Sequence, residues 1–459
     1  MTQRFDAIII GSGQAGPALA ARLTQAGRTV AFVERAHFGG TCVNDGCIPT
    51  KALVASAQAA FVARRHYDFG VTITGAIGVD MKAVKERKDA IVRASIEGVE
   101  RWVRGMPGLS VFWGHGRFTA PHTLAVGDTQ LEADHIFVNV GGSPIVPEWP
   151  ALREIPYLTN SSMMDIDVLP EHLVIVGGSY IGLEFAQMYR RFGSRVTVLE
   201  QGERLIARED EDVSDRVREI LEREGIDVRL NASCIGVARH EAGVAISTDC
   251  AADSKCIVGS HLLLAIGRRP NTENLGLEHA GINMDARGFI QVDDQLRTSV
   301  PGIWALGDVN GRGAFTHTSW NDYEIVAANL LDGESRRVSD RIPAYALFID
   351  PPLGRIGMTE REVRASGKPA LIGRMEMSRV GRARERGETR GFMKVLADAA
   401  TGRLLGASLL GLSGDEVVHS LLDVMYADAP YSVISRAVHI HPTVSELVPT
   451  LLQTMVPLR

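Results

Sequence analysis

The sequence is poor in cysteine, in aromatic residues and in long apolar runs, and neither charge sign dominates. Five cysteines in 459 residues are too few for a disulfide-stapled scaffold. In such a chain, closely spaced cysteines point instead to catalysis or metal binding. Apolar stretches such as Ala7–Ile10 and Leu262–Ile266 fall far short of the ~18 residues of a helical membrane span. The opening MTQRFDAIIIGSG has no basic segment followed by an apolar stretch and a small-residue cleavage site. No export is therefore expected, and the expected location is cytoplasmic. Lys+Arg total 49 against 55 Asp+Glu, for a net charge of −6. That balance gives no electrostatic reason to expect nucleic acid or an anionic membrane as partner.

What is present is ordinary globular material, 45% hydrophobic and 23% charged, enough for about three domains. The excess lies in glycine, with 47 residues, and the glycines cluster. Phe5–Ile10 reads as a strand, followed at once by Gly11-Ser12-Gly13-Gln14-Ala15-Gly16, then a helix over Ala18–Gln25 and a strand over Thr29–Val33 ending in Glu34. This is a G-x-G-x-x-G in its strand–turn–helix setting, with an acid 18 residues after the third glycine. Gly11 allows the tight turn, Gly13 lets a pyrophosphate approach the backbone, and Gly16 lets helix and strand pack closely. The helix N-terminus offers N–H groups to phosphates, and Glu34 can accept from a ribose diol. The unit recurs. Leu173–Val176 leads into Gly177-Gly178-Ser179-Tyr180-Ile181-Gly182, and the next strand, Arg195–Leu199, ends in Glu200, again 18 residues on. Two units imply two dinucleotides.

Long helices are expected over Thr50–Tyr67 and Asp80–Gly105, and short strands over residues 108–140. Pro144–Pro156 and Gly267–Asn271 read as junctions, and Thr298–Asp308 as a strand. Further on, strands are expected over Gly391–Leu396 and Leu404–Leu410 and a helix over Asp415–Tyr426. Arg374–Arg390, with six arginines, reads as a solvated face or loop.

Directly after the first unit comes Gly39-Gly40-Thr41-Cys42-Val43-Asn44-Asp45-Gly46-Cys47-Ile48-Pro49-Thr50-Lys51. Two cysteines five apart at the start of a helix can form a disulfide only if the first turn is distorted, and Gly46 and Pro49 allow such a departure. A helix N-terminus favours a thiolate, so one sulfur can be a low-pKa thiolate while the other exchanges with an external partner. Lys51, one turn beyond Cys47, needs an acid partner. No metal site is expected, since Cys234, Cys250 and Cys256 lie far off in the sequence. Cys234 is expected to pack in the second nucleotide unit. Cys250 and Cys256 flank a hairpin tip where a second redox pair is conceivable. Near the C-terminus, His441 and Glu446 stand five apart. The glutamate could orient the histidine for proton transfer to and from a thiol.

With these motifs in this order, the chain resembles the flavin-dependent pyridine nucleotide–disulfide oxidoreductases over essentially its whole length. That group includes lipoamide dehydrogenase, glutathione reductase, mercuric reductase and a copper reductase of reactive-chlorine resistance. The resemblance implies an α/β fold with two Rossmann-like domains, for FAD and NAD(P), plus a C-terminal α+β dimerisation domain. The expected boundaries are 1–150 and 271–336 for the FAD domain, 151–270 for the NAD(P) domain and 337–459 for the dimer domain. It implies that Gly11, Gly13, Gly16, Glu34, Gly40, Thr41, Gly142 and Asp308 hold FAD, and that Thr316 and His317 lie beside the flavin pyrimidine. Cys47 would face the flavin as charge-transfer thiol, Cys42 would meet substrate, and Lys51, paired with Glu184, would lie near the flavin. Tyr180 would gate the nicotinamide pocket, with Gly177, Gly182, Glu200, Gly267 and Arg268 lining the NAD(P) site. His441 and Glu446 would act from the partner subunit, making the homodimer's active sites shared.

Glu200 favours NADH, whose free 2′-hydroxyl suits an acid, although Arg204 and Arg208 nearby leave NADPH open. The acceptor is expected to be a small disulfide. His441–Glu446 fits disulfide chemistry, whereas Asp350–Glu360 (DPPLGRIGMTE) and Thr50 resemble the mercuric- and copper-reductase branch. The alternatives are therefore a metal-ion reductase or oxidant-defence enzyme and, less favoured, a docked flavoprotein subunit of a larger complex. The chain ends in MVPLR, without the C-terminal cysteine pair of mercuric reductases. Asp45, between the cysteines, is expected to raise thiol pKa or repel anionic substrates.

Overall fold

The computed structural model describes residues 2–233, 235–248 and 256–459. Cys234 and Cys250 lie outside them; Cys256 is an exposed free thiol at the start of the strand Cys256–Gly259. The buried run Ala7-Ile8-Ile9-Ile10 of the strand Thr2–Ile10 fills the centre of a mostly parallel sheet. Its order is Leu109–Trp113, Val30–Glu34, Thr2–Ile10, Thr129–Val138. The first half of Thr129–Val138 continues into an antiparallel meander, Thr123–Val126 and Gly116–Ala120. Its second half pairs in parallel with Ile303–Ala305, which arrives from much later in the chain. The second glycine unit builds its own parallel sheet, ordered Asp227–Arg229, Arg195–Leu199, His172–Val176, His261–Leu264. These two parallel sheets with flanking helices are the doubly wound pattern that places ligands at the C-terminal strand ends.

The chain leaves the first sheet and returns to it through one narrow ribbon. Gly142–Pro144 pairs antiparallel with Arg268–Pro270. The C-terminal part is a six-stranded antiparallel sheet running from Ala344–Leu347 to the edge strand Val456–Pro457, with the helix Gly414–Tyr426 packed on it.

Three expectations need correction. Thr298–Asp308 is a strand only over Ile303–Ala305; Gly302 at φ +79 turns the chain just before it, and Gly307–Asn310 forms a 3-10 turn. Arg374–Arg390 is no plain solvated loop. Arg374 stands in the strand Ala370–Glu376 paired with Asp212, and Arg390 is largely buried against Glu388 and Glu224. Residues 40–64 are helical over most of their length, and an 18-residue window within them reaches a mean hydropathy of 1.2, long and apolar enough by composition to cross a bilayer. In the fold, Cys47–Arg64 packs against Met81–Arg104 and Tyr180–Phe192.

Candidate active site

A cavity of about 1010 Å³ runs from Glu34 past Gly11–Gly13 to Cys42 and Cys47 and on to Tyr180. Gly11, at φ +100, lies so close to the neighbouring strand end that a Cβ there would sit 2.4 Å from the Asn139 carbonyl oxygen. The Asn139 amide donates to the carbonyls of Gly11 and Gly13 at 3.2 and 3.1 Å, which sets the shape of the turn. Glu34 is buried and accepts from the N–H groups of Ser12, Arg35 and Ala36 at 2.9, 2.8 and 2.8 Å. Gly40 packs on Gly13, where a Cβ would come within 2.6 Å of the Gly13 Cα.

Asp308 is the most informative group in this cavity. Its side chain is 26% exposed, makes no hydrogen bond to another of the described residues and has Arg268 near it, at 3.8 Å. Burial pushes its pKa up, against the pull of Arg268. An underused acceptor lining a long cavity fits a ligand hydroxyl, and Gly141, with nothing within 4 Å of its Cβ position, leaves room beside it. Acid, helix N-terminus and free carboxyl in this sequence match the ribose, diphosphate and polyol of FAD.

Arg268 differs from expectation. It lies with the first cavity, against the Gly142 carbonyl, Thr41 and Asp308, rather than with the second glycine turn. The second turn mirrors the first. Gly177, at φ +114, packs with its Cβ position 2.3 Å from the Ala265 carbonyl oxygen, just before Gly267, and that of Gly182 is 2.1 Å from the Gly177 oxygen. Glu200 accepts from Gly178 and Gly202 N–H, both at 2.7 Å.

Between the two turns lie the thiols. The helix begins at Cys47 itself rather than at Thr50. Both sulfurs are free, and Cys47 Sγ lies 3.1 Å from Thr316 Oγ1, at the first residue of the helix Thr316–Leu331. The hydrogen bond with Cys42, helped by Thr316 and the Lys51 charge, lowers the Cys47 thiol to about 6 against the effect of burial and Glu184. The same hydrogen bond, with burial, pushes Cys42 up. Lys51 Nζ reaches Glu184 Oε2 at 2.6 Å, with Glu184 8% exposed, and lies 4.3 Å over the Phe348 ring. Asp45 is not among the groups that set the acidity of the thiols. Its carboxylate is taken up by Ser161, and the charges acting on Cys47 are those of Lys51 and Glu184.

His317 Nε2 donates to the Ala344 carbonyl, 2.7 Å away, and the ring stacks on Phe315. His441 Nδ1 sits 2.7 Å from Glu446 Oε2. This pair lies outside the cavity of its own chain, and His441 is 81% exposed beside the bare apolar side chains of Val438 and Ile440. Sequence reasoning missed Asn139, Phe315, Glu209, Tyr345 and Arg355. Arg355 left a readable trace, a charge inside the apolar strand Leu353–Gly357. Glu209 left none.

Two dinucleotide turns and one thiol pair lining a cavity define an oxidoreductase that moves electrons between a nicotinamide and sulfur. The chain belongs to the pyridine nucleotide-disulphide oxidoreductase family, whose profile matches residues 5–322, followed by the family's dimerisation domain over residues 343–452. It is 38% identical over 452 residues to the probable pyridine nucleotide-disulfide oxidoreductase RclA of Escherichia coli K12, covering 96% of this chain and 97% of that one. A mercuric reductase of Streptomyces lividans is 33% identical, covering 98% and 96%. Among solved structures, the HOCl-induced flavoprotein disulfide reductase RclA from Escherichia coli superposes with a TM-score of 0.90 at 36% identity, covering 98% of this chain and 99% of that one. The chain is thus an enzyme of a family that depends on FAD and a pyridine nucleotide and passes electrons through flavin to a disulfide. Metal-ion reduction and oxidant defence fit the same family.

Proposed function

We propose that this enzyme is a homodimeric, cytoplasmic NADH-dependent reductase of a small disulfide, with Cys42 and Cys47 as its working dithiol. The observation that carries this is Cys47 at a helix start, held by Thr316 and drawn down by the Lys51 charge. Bound FAD, held by Gly11, Gly13, Gly16, Glu34, Gly40, Thr41, Gly142 and Asp308, supplies the two electrons that return the disulfide to dithiol. Cys42 attacks one sulfur of the substrate, forming a mixed disulfide and releasing the first thiol. Cys47 then attacks Cys42, forming the Cys42–Cys47 disulfide and releasing the second thiol. The substrate gains two electrons and the dithiol loses them. His441 of the partner subunit, oriented by its glutamate, takes the Cys42 proton as that sulfur attacks, gives it to the first leaving thiolate, and passes a solvent proton to the second. The exposure of His441 on the single chain, outside its own cavity, supports this shared arrangement.

NADH is favoured because Glu200 stands where the ribose 2′-hydroxyl would be read, and Arg204 is already paired with Glu211 at 2.5 Å. A second reading, reduction of a metal ion by the same dithiol, is favoured by the pair of free sulfurs lining an open cavity and by the likeness to a mercuric reductase and to a structure described as a Cu(II) complex of RclA.

The test is an anaerobic titration of the yellow protein with NADH and then NADPH, followed by visible spectra. Lipoamide, glutathione disulfide, Hg(II) and Cu(II) are then added in turn, with Cys42→Ser and His441→Ala as controls. A long-wavelength thiolate–flavin band after two electrons is expected, discharged by a disulfide and not in His441→Ala. Bleaching without that band removes the dithiol from the path. Discharge by metal alone selects the second reading.

A further inference from the structure

Beside the thiols, Tyr180 of the second glycine turn joins a set of polar groups built around the buried Glu209 and Arg355. The Tyr180 hydroxyl donates to Glu209 Oε1 at 2.8 Å, and the Tyr345 hydroxyl donates to the same oxygen at 2.7 Å. The Glu209 side chain is 0% exposed, and its other oxygen faces Nε of Arg355, itself 2% exposed, at 3.4 Å. Neither of those two atoms has a hydrogen-bond partner among the described residues. Arg355 donates instead to the carbonyls of Ile356 and Ala407, and a buried ion pair whose facing atoms stay unpaired is costly to build. It stands where two tyrosines from different domains converge. Tyr180 meets Tyr345 and Phe315 edge-on at 5.6 and 6.5 Å, and Tyr345 stacks on Phe315 at 5.5 Å. Phe315 directly precedes Thr316, which touches Cys47. The Tyr180 ring is therefore tied, through Glu209, to the wall of the thiol pocket.

We infer that Glu209 is a positioning residue of the nicotinamide pocket: its carboxylate latches the Tyr180 ring closed, and the nicotinamide enters by breaking the Tyr180–Glu209 hydrogen bond. The inference rests on reading Tyr180 as the ring over that pocket. Two phenols on one oxygen let one leave without stranding a bare buried charge, because Tyr345 stays on that oxygen and Arg355 on the other. Opening costs one charge-assisted hydrogen bond. The affinity for the nicotinamide is lowered by that cost, as for any ligand that must capture a minor conformer.

The test uses the flavin-loaded dimer and measures the half-saturating concentration of NADH, or of NADPH if that is the better reductant, in flavin reduction. Tyr180→Phe keeps the ring and removes the latch. It is expected to lower half-saturation about ten- to a hundredfold, the weight of one hydrogen bond to a charged group. Glu209→Gln shifts it the same way, and the double variant goes no further than either single one. Tyr345→Phe raises half-saturation, since the shared oxygen is left to Tyr180 alone. Unmoved half-saturation in Tyr180→Phe, or additive effects in the double variant, overturns the latch. Should Glu209→Gln fail to fold, the opposite signs of the two phenylalanine variants, which keep the Glu209–Arg355 pair, decide alone. Tyr180→Ala separates the latch from the reading beneath it. A ring that covers the flavin gives faster NADH oxidation by oxygen when it is cut away, and no change there removes the gate itself. Faster oxidation in Tyr180→Ala with unmoved half-saturation in Tyr180→Phe overturns the latch and leaves the gate standing.

Discussion

Cys47 is governed by four neighbours whose effects have opposite signs, so its acidity can be dissected one side chain at a time. Its thiol is lowered to about 6, by the Cys42 hydrogen bond first, then by Thr316 and the Lys51 charge, while burial and Glu184 oppose. A lowered thiol pKa means the thiolate is present above about pH 6 and is lost as the pH falls through that value. In the reduced holoenzyme, thiolate ultraviolet absorbance and the rate of alkylation are expected to follow that midpoint. Thr316→Ala and Lys51→Met each raise it, by up to about one unit, and Glu184→Gln lowers it. A midpoint that ignores all three substitutions would detach Cys47 from this environment. Lys51→Met also strands Glu184, 8% exposed, at a cost of about 1–3 kcal/mol. Chemical denaturation of the holoenzyme measures that cost.

At the scale of elements, the two glycine turns are alike in construction and separable in use. Gly11→Ala forces a Cβ to 2.4 Å from the Asn139 oxygen at φ +100. It is expected to give protein with little bound flavin, read from the visible-to-ultraviolet absorbance ratio. Gly177→Ala makes the same clash with the Ala265 oxygen at 2.3 Å, and is expected to keep its flavin while losing reduction by NADH. A variant of the second turn that lost flavin while still reacting with NADH would reverse the assignment. Both turns were legible in the sequence because a strand, a glycine pattern and a distant acid are local signals. The Lys51–Glu184 pair was legible only through family resemblance, since 133 residues separate its members. The Glu209 cluster was not legible as a cluster, although Tyr180 stood out in its turn and Arg355 in its strand. Tyr180, Glu209, Tyr345 and Arg355 meet only when the second nucleotide sheet docks against the C-terminal sheet, and no spacing encodes that docking. The helix start at Cys47 was misplaced for a local reason. Pro49 reads as a helix boundary, yet it occupies the first turn, where its missing N–H is not needed.

For the whole molecule, the proposed reading sets the exposed His441 and part-buried Glu446 of one chain against the cavity that contains Cys42 in the other. If two chains share each site, Cys42→Ser and His441→Ala are each inactive toward disulfide. Subunit exchange between them then restores activity, to about a quarter of the parent at equal mixing, because half the dimers regain one of two sites. No recovery after proven exchange would place both groups in the same chain. The bare Val438 and Ile440 side chains are expected to become protected from solvent in the same dimer, as read by hydrogen exchange of their segment.

The ribbon formed by Gly142–Pro144 and Arg268–Pro270 has a genetic consequence as well. Everything between its strands leaves and rejoins the first sheet at neighbouring points, so the second nucleotide unit is joined to its host the way a cassette is joined to a plasmid, by adjacent ends. Exchange of that stretch for the matching stretch of a relative with the other coenzyme preference requires only two splice points. The thiols would stay with the host and the choice of reductant would travel with the insert.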